Sequence, residues 1–139
     1  MRRRAAGATA LAWFVVALAA HDAAACGHCS EDKIAAVYDY AAVTAATARG
    51  ATLIYAAIDG GAALTHAARA ARVRQALAAT AGVDRGSVRV SEEPSAAFCV
   101  SSRAGAATEI LARANARLRG DGVRLRALPS PSVAAARRR

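Results

Sequence analysis

Two cysteines and a histidine stand together near the start of the chain, in the tetrapeptide CGHC. Cys26 and Cys29 are three positions apart, and His28 lies between them. Thiolates at this spacing can both reach one soft metal ion; Cu(I) is satisfied by two of them, whereas Zn(II) usually takes four ligands. The motif therefore predicts a Cu(I) or Zn(II) site with Cys26 and Cys29 as ligands and His28 as a third. A complete zinc site would further require His28, His66 or Cys99 to converge on the two thiolates.

The same two cysteines also fit thiol–disulfide exchange. CGHC resembles the active-site motif of protein disulfide isomerases, a family that places it between a strand and a helix of a thioredoxin fold. No such strand is available before Cys26, because the preceding residues have the pattern of an export signal, so the resemblance is one of local chemistry. A disulfide between Cys26 and Cys29 is realistic in an oxidising compartment. A redox-active pair, and an interaction module in which CGHC is incidental, are the alternatives to metal binding.

The remaining candidate residues favour structural roles. Cys99 lies in an apolar run and is expected to be a small buried or half-buried residue, and His66 is expected on a helix surface. The pair Glu92–Glu93 falls at a hairpin turn, where solvated carboxylates are common. The sequence has no serine in a nucleophile elbow and no glycine loop of the phosphate-binding kind. We therefore predict a protein that is not an enzyme.

Charge and composition limit the classes of partner. Nineteen basic and ten acidic residues give a net charge of +9, but six of the arginines stand at the two ends of the chain. Hydrophobic residues make up 55% and aromatic residues only 4%, because alanine supplies much of the apolar count. Alanine burial contributes little transfer free energy, so the core is expected to be lean. RNA-recognition modules use exposed aromatic residues on their sheet. The strand AAFCVS does not resemble their motif, and the chain is expected to be exported, so nucleic acid is not an expected partner.

The first 25 residues have the three parts of a secretory signal. Arg2–Arg4 form the positive end and Ala10–Ala20 the apolar run. Ala17–Ala19 and Ala23–Ala25 are both cleavage sites of the A-x-A kind, and the second gives the boundary after residue 25. The chain is therefore expected to be exported, to the periplasm or the medium. An uncleaved anchor and a lipoprotein attached at Cys26 are the alternatives.

The elements that must position the motif follow the signal. Residues 26–50 carry CGHC and one predicted helix with Ser30 as N-cap, and residues 129–139 form a predicted disordered basic tail. Between them, residues 51–128 alternate between period-2 and helical patterns in the order βαββαβ. Right-handed crossovers then place both helices on one face of a sheet with strand order 4-1-3-2, a ferredoxin-like α+β fold. The predicted elements are strand Ala51–Ile58, helix Ala62–Ala81, strands Ser87–Ser91 and Ala96–Ser101, helix Thr108–Arg119 and strand Val123–Leu128.

Alternation along the strands assigns residues to the two faces of the sheet. The face toward the two helices is predicted to carry Ile54, Ala56, Ile58, Val88, Val90, Phe98, Val100, Val123 and Leu125. The other face is predicted to carry Leu53, Tyr55, Ala57, Ala97 and Cys99, rimmed by Arg89, Arg124 and Arg126. An apolar strip of this kind suggests a cover, and a modest exposed patch of mostly alanine is the alternative. The leading helix, with its apolar stripe Ile34, Val37, Tyr38, Ala41 and Ala45, or a second copy of the protein can supply one.

The stretch from Leu64 to Leu125 resembles a heavy-metal-associated domain, the fold of copper chaperones and of the N-terminal modules of metal-pumping ATPases. Val73, Leu77 and the pair Gly82–Val83 have the family's spacing, and SVRV followed by AAFCV fits its hairpin. The resemblance implies the ferredoxin-like fold and, as partner, a metal ion together with a metal transporter or another exported protein. The family's two metal-binding cysteines are replaced here by His66 and Arg69, so the family's metal site does not carry over.

Overall fold

A computed structural model describes residues 30–102 and 107–130. The predicted signal peptide, the residues of the CGHC motif and residues 131–139 lie outside this part of the chain. The described chain is an α+β fold with one sheet. Its elements are α1 (residues 30–36), α2 (Tyr40–Ala48), β1 (Thr52–Gly60), α3 (His66–Ala78), β2 (Val83–Ser91), β3 (Ala96–Ser101), α4 (Ala107–Leu118) and β4 (Val123–Ala127).

The four strands form an antiparallel sheet in the order β2-β3-β1-β4. This confirms the predicted strand order 4-1-3-2. The central strands β1 and β3 pair from Thr52↔Ser101 to Ala57↔Ala96, and β4 pairs with the other end of β1. The outer strand β2 begins at Val83, four residues before the predicted Ser87. Its pairing with β3 is interrupted by an irregularity between Asp84 and Arg89.

The helix α3 is shorter at its start than the predicted Ala62. Gly61 has a φ of +70°, and Leu64 donates to its carbonyl at 2.9 Å, so the chain still turns at this point. Thr65 is the N-cap, and its hydroxyl accepts a hydrogen bond from the amide of Ala68 at 3.2 Å. Ala62 to Leu64 are therefore a loop, and the helix begins at His66.

One face of the sheet packs against α3 and α4, and the phase predicted for β3 on this face was wrong. Ile54 of β1 stands opposite Cys99, and Tyr55 stands opposite Phe98. Cys99 and Ala97 therefore face α3 and α4, whereas Phe98 and Val100 lie on the other face. The helix-side core consists of Ile54, Ala56, Ile58, Val73, Ala76, Leu77, Val88, Ala97, Cys99, Ile110, Leu111, Ala114, Leu118, Val123 and Leu125.

The other face is covered by the leading segment of the chain, as predicted for one of two possible covers. Val37 and Ala46 are buried there against Tyr55 and Phe98, whose rings are 4.9 Å apart between centroids. Ile34, Ala42, Val43, Ala51 and Leu53 pack around this second cluster. The sheet is thus buried on both sides in its central strands.

The leading segment contains two helices where one was predicted. The chain leaves α1 after residue 36, and Asp39 begins α2 as its N-cap with an extended φ of −122°. The break changes the helical phase, so Ala42, Val43 and Ala46 face the sheet in place of Ala41 and Ala45. The predicted N-cap Ser30 is already helical.

Candidate functional site

The predicted metal ligands Cys26, His28 and Cys29 lie outside the described residues. The described chain is helical from residue 30, directly after Cys29. The helix α1 is attached to the fold by Ile34, and Val37 directly after the helix also packs on the second face of the sheet. The chain that carries the thiols is therefore connected through about two helical turns to the covered face of the sheet.

Cys99 is a buried residue, as predicted. Its side chain is 1% exposed among the apolar residues between the sheet and α3 and α4, and it forms no disulfide. Burial raises the pKa of the Cys99 thiol to about 12. Since the thiolate is the form that binds metals and attacks disulfides, Cys99 is unsuited to either chemistry.

His66 lies on the surface of α3, which confirms its predicted position. Its side chain is 60% exposed, and Nδ1 lies 3.3 Å from Oε2 of the exposed Glu93. Across the described residues, no three side chains among His, Cys, Asp and Glu stand close enough to hold a metal ion. Neither His66 nor Cys99 therefore belongs to a group of three such residues within the described chain.

The loop between β1 and α3, next to which the heavy-metal-associated family has its cysteines, is held in place by the side chain of Arg69. Arg69 donates to the carbonyl of Gly60 at 3.1 Å and to the hydroxyl of Ser95 at 2.8 Å. A Cβ at Gly60, whose φ is +78°, would overlap the carbonyl oxygen of Gly122. The loop is therefore fixed by a guanidinium and by close backbone contacts, which agrees with the departure from the family that the sequence indicates.

A groove that the sequence did not predict lies along the outer strand β2. It has a volume of about 630 Å³ and is lined by Ala36 to Ala41, by Arg74 of α3 and by Val88 to Val90. We call it the β2 groove. Tyr38 and Tyr40, exposed by 48% and 73%, line it, and they are the two exposed large hydrophobic residues of the described chain. The single-helix prediction placed Tyr38 in a buried stripe and so concealed the groove.

An ion pair between Asp39 and Arg89 joins the start of α2 to β2 at the β2 groove. Asp39 Oδ1 accepts the amide of Ala42 at 3.0 Å, and Oδ2 accepts Nε and Nη2 of Arg89 at 3.0 and 2.8 Å. The hydrogen bond from Ala42 and then those from Arg89 lower the pKa of the Asp39 carboxyl. Nη1 of Arg89 donates to the carbonyls of Gly86 and Val88 at 2.7 and 3.1 Å. A charged side chain thus occupies carbonyls of an edge strand, which protects that edge from pairing with other chains.

The side chain of Tyr55 is buried beneath α1 and α2 with its hydroxyl group unsatisfied by any described residue. The residue is 2% exposed, and its Oη has no hydrogen-bond partner among the described residues. Burial, together with the nearby Tyr38, raises the pKa of Tyr55 to about 12. The hydroxyl is therefore protonated at neutral pH, and no described residue compensates its desolvation with a hydrogen bond.

Comparison with known proteins gives no relative: no family model matches the chain, and no significant match was found among curated proteins or solved structures. Within the described residues, no helix has both the length and the apolar character needed to cross a membrane. The fold and the side chains themselves are therefore the basis for a functional proposal.

Proposed function

We propose that the chain is an exported, non-enzymatic metal-binding module with a ferredoxin-like fold, and that Cys26 and Cys29 are its thiolate ligands. The observation that carries the proposal is the position of the third cysteine. Cys99 is enclosed in the core and its pKa is raised to about 12. Soft-metal chemistry in this chain is thereby left to the two cysteines of CGHC, which stand three positions apart.

The ferredoxin-like assignment is supported by the βαββαβ order after α2 and by the antiparallel strand order 4-1-3-2. The packing of both α3 and α4 on one face agrees with it. The loop before α3, where the heavy-metal-associated family has its cysteines, is occupied by the hydrogen bonds of Arg69. The metal site is accordingly proposed at the N-terminal motif and not at the loop before α3.

Cu(I) is the favoured ion, and Zn(II) is the alternative. Of the residues considered as completing ligands, Cys99 is buried and His66 contacts Glu93 on the surface. His28, inside the motif, is the one that remains. Two thiolates with one imidazole suffice for Cu(I), whereas Zn(II) in a structural site takes four ligands.

The proposal is tested by a competition titration of the reduced protein against a Cu(I) chelator, with Zn(II) titrated in parallel. Wild type is expected to bind one Cu(I), and the double variant C26S/C29S is expected to lose this binding. The variant Cys99→Ala removes a cysteine from the core and is the matched control, expected to retain one equivalent. A smaller loss in His28→Ala would place the imidazole among the ligands.

Equal and weak Cu(I) binding by wild type and C26S/C29S would overturn the metal proposal. The same two cysteines would then be examined as a thiol–disulfide pair, by measuring their reduction potential against a glutathione buffer. A metal transporter or another exported protein is the proposed partner, and a homodimer is the further assembly considered.

A further inference from the structure

We propose that the β2 groove is the docking site for an extended acidic segment of the partner protein that exchanges its metal ion or thiol with CGHC. This inference rests on the proposed function for the identity of the partner. The groove itself, with its residues and charges, belongs to the described structure. Its volume of about 630 Å³ falls in the range of about 300–1,000 Å³ that is usual for ligand sites.

The side chains at the groove are of the types that carry binding energy at interfaces. Tyrosine and arginine are enriched at interface hot spots, because they offer a large contact area together with hydrogen-bonding groups. Tyr38 and Tyr40 are exposed here in a chain with only three tyrosines, while the third, Tyr55, is buried. Both exposed tyrosines therefore mark one surface.

The charge of the groove selects an acidic occupant. Its lining contains two arginines, Arg74 and Arg89, and one carboxylate, Asp39. Asp39 is paired with Arg89 at 2.8 Å, whereas no described carboxylate lies within ion-pair distance of the exposed Arg74. Within the described chain the guanidinium of Arg74 is thus left without an ion-pair partner, and it can bind a partner's carboxylate through two parallel hydrogen bonds.

The groove is preformed, and the edge of β2 that lines it is not available for pairing with an added strand. Arg89 already donates to the carbonyls of Gly86 and Val88. An added strand would have to displace these hydrogen bonds together with the ion pair to Asp39. The occupant is therefore expected to lie along the tyrosines and Arg74 through its side chains, without extending the sheet.

The location of the groove connects it to the thiol motif. One end of the lining is Ala36, the last residue of α1, and α1 begins directly after Cys29. Seven helical residues extend about 10 Å at 1.5 Å per residue. A segment bound in the groove would hold its parent protein close to the chain that carries Cys26 and Cys29.

The test uses the synthetic peptide acetyl-EVEVE-amide, with acetyl-KVKVK-amide as the charge-reversed probe, added to ¹⁵N-labelled C26S/C29S protein. Saturable shifts at Tyr38, Tyr40 and Val90 with EVEVE, with a dissociation constant below about 1 mM, are expected. KVKVK is expected to cause none. Because this protein lacks both thiols, the result is independent of whether metal binding succeeds or fails.

Variants separate the groove from general attraction to a basic protein. Arg74→Ala and Tyr40→Ala are each expected to weaken EVEVE binding at least fivefold. Arg124→Ala, which removes an exposed arginine from the opposite edge strand β4, is the matched control and is expected to change it less than twofold. Equal losses in Arg74→Ala and Arg124→Ala would overturn the proposal. So would shifts away from the groove, absence of binding at 1 mM peptide, or a concentration-dependent dimer that buries Tyr40.

Discussion

Asp39 connects the start of α2 to the edge strand β2. One carboxylate oxygen caps α2 by accepting the amide of Ala42, and the other forms an ion pair with Arg89. Arg89 in turn donates to backbone carbonyls of β2. A cap and an ion pair are usually separate devices, and here a single side chain provides both. The attachment of the leading helices to the edge of the sheet is therefore expected to depend on this residue.

Substitutions at Asp39 are expected to lower the unfolding midpoint in a fixed order. Asparagine can still cap a helix, so Asp39→Asn removes only the ion pair, whereas Asp39→Ala removes the cap as well. Urea unfolding at pH 7 should rank wild type above Asp39→Asn, and Asp39→Asn above Asp39→Ala. Glu92→Gln, at an exposed carboxylate in the β2–β3 turn, is the control and should be neutral.

The same residue predicts a dependence on pH with a definite sign. Hydrogen bonds from Ala42 and Arg89 lower the pKa of folded Asp39 below its ordinary value of 3.8. Its contribution to stability is therefore complete above pH 3.8 and is lost as the pH falls through the lower folded value. The stability difference between wild type and Asp39→Asn should shrink in acid. A difference that stays constant down to pH 2 would contradict this role.

The orphan hydroxyl of Tyr55 predicts a stabilising substitution. Tyr55→Phe keeps the ring against Phe98 and removes a buried Oη that has no described partner. An unsatisfied buried polar group costs about 1–3 kcal/mol, so the free energy of unfolding should rise by about 1 kcal/mol. Chemical denaturation of wild type and Tyr55→Phe measures this directly. A loss of stability in the variant would mean that the hydroxyl has a partner.

At the scale of elements, the attachment of α1 and α2 to the sheet is the feature that distinguishes this fold. Phe98 is fully buried beneath them, and Phe98→Ala is expected to cost about 3–5 kcal/mol. Hydrogen exchange should accelerate in residues 30–48 of this variant. Tyr40→Ala, at an exposed ring on the same segment, should remain within about 0.5 kcal/mol of wild type. Unchanged exchange in residues 30–48 of Phe98→Ala would show that these helices do not depend on the second face.

The strand order could be predicted from the sequence because strands and helices alternate with clear periods, whereas the facing of β3 could not. Every residue from Ala96 to Ser101 is buried, since both faces of the sheet are covered. Apolar alternation then carries little signal, and only the pairing of Tyr55 with Phe98 sets the phase.

The sequence does indicate the break between α1 and α2, but the apolar periodicity favoured one continuous helix. Asp39 stands before an alanine-rich run, as an N-cap does, but Ile34, Val37 and Tyr38 also fit one continuous helix. The β2 groove follows from this break, so no pattern in one continuous helix could reveal it. The burial of Cys99 and the surface position of His66, in contrast, were predicted correctly because an apolar strand and a helix are local features, although Cys99 was assigned to the wrong face of the sheet.

At the scale of the whole molecule, the described chain has three layers, with α3 and α4 on one face of the sheet and α1 and α2 on the other. The third layer offsets the small apolar area that an alanine-rich core buries. Small side chains bury little area each, and the second cluster beneath α1 and α2 adds apolar burial that two layers alone would lack. The same layer carries the chain from the CGHC motif to the β2 groove. If both proposals hold, metal chemistry lies at the start of α1 and partner recognition at its end.

The most direct test of this account is the alkylation of the reduced, folded protein, with and without one equivalent of Cu(I), read by peptide mass. Cys26 and Cys29 are expected to be modified in the apo protein and protected together by Cu(I). Cys99, with its pKa raised to about 12, should remain unmodified in both states and react only in denaturant. Equal alkylation of Cys26 and Cys29 with and without Cu(I) would contradict the assignment of the metal site to CGHC.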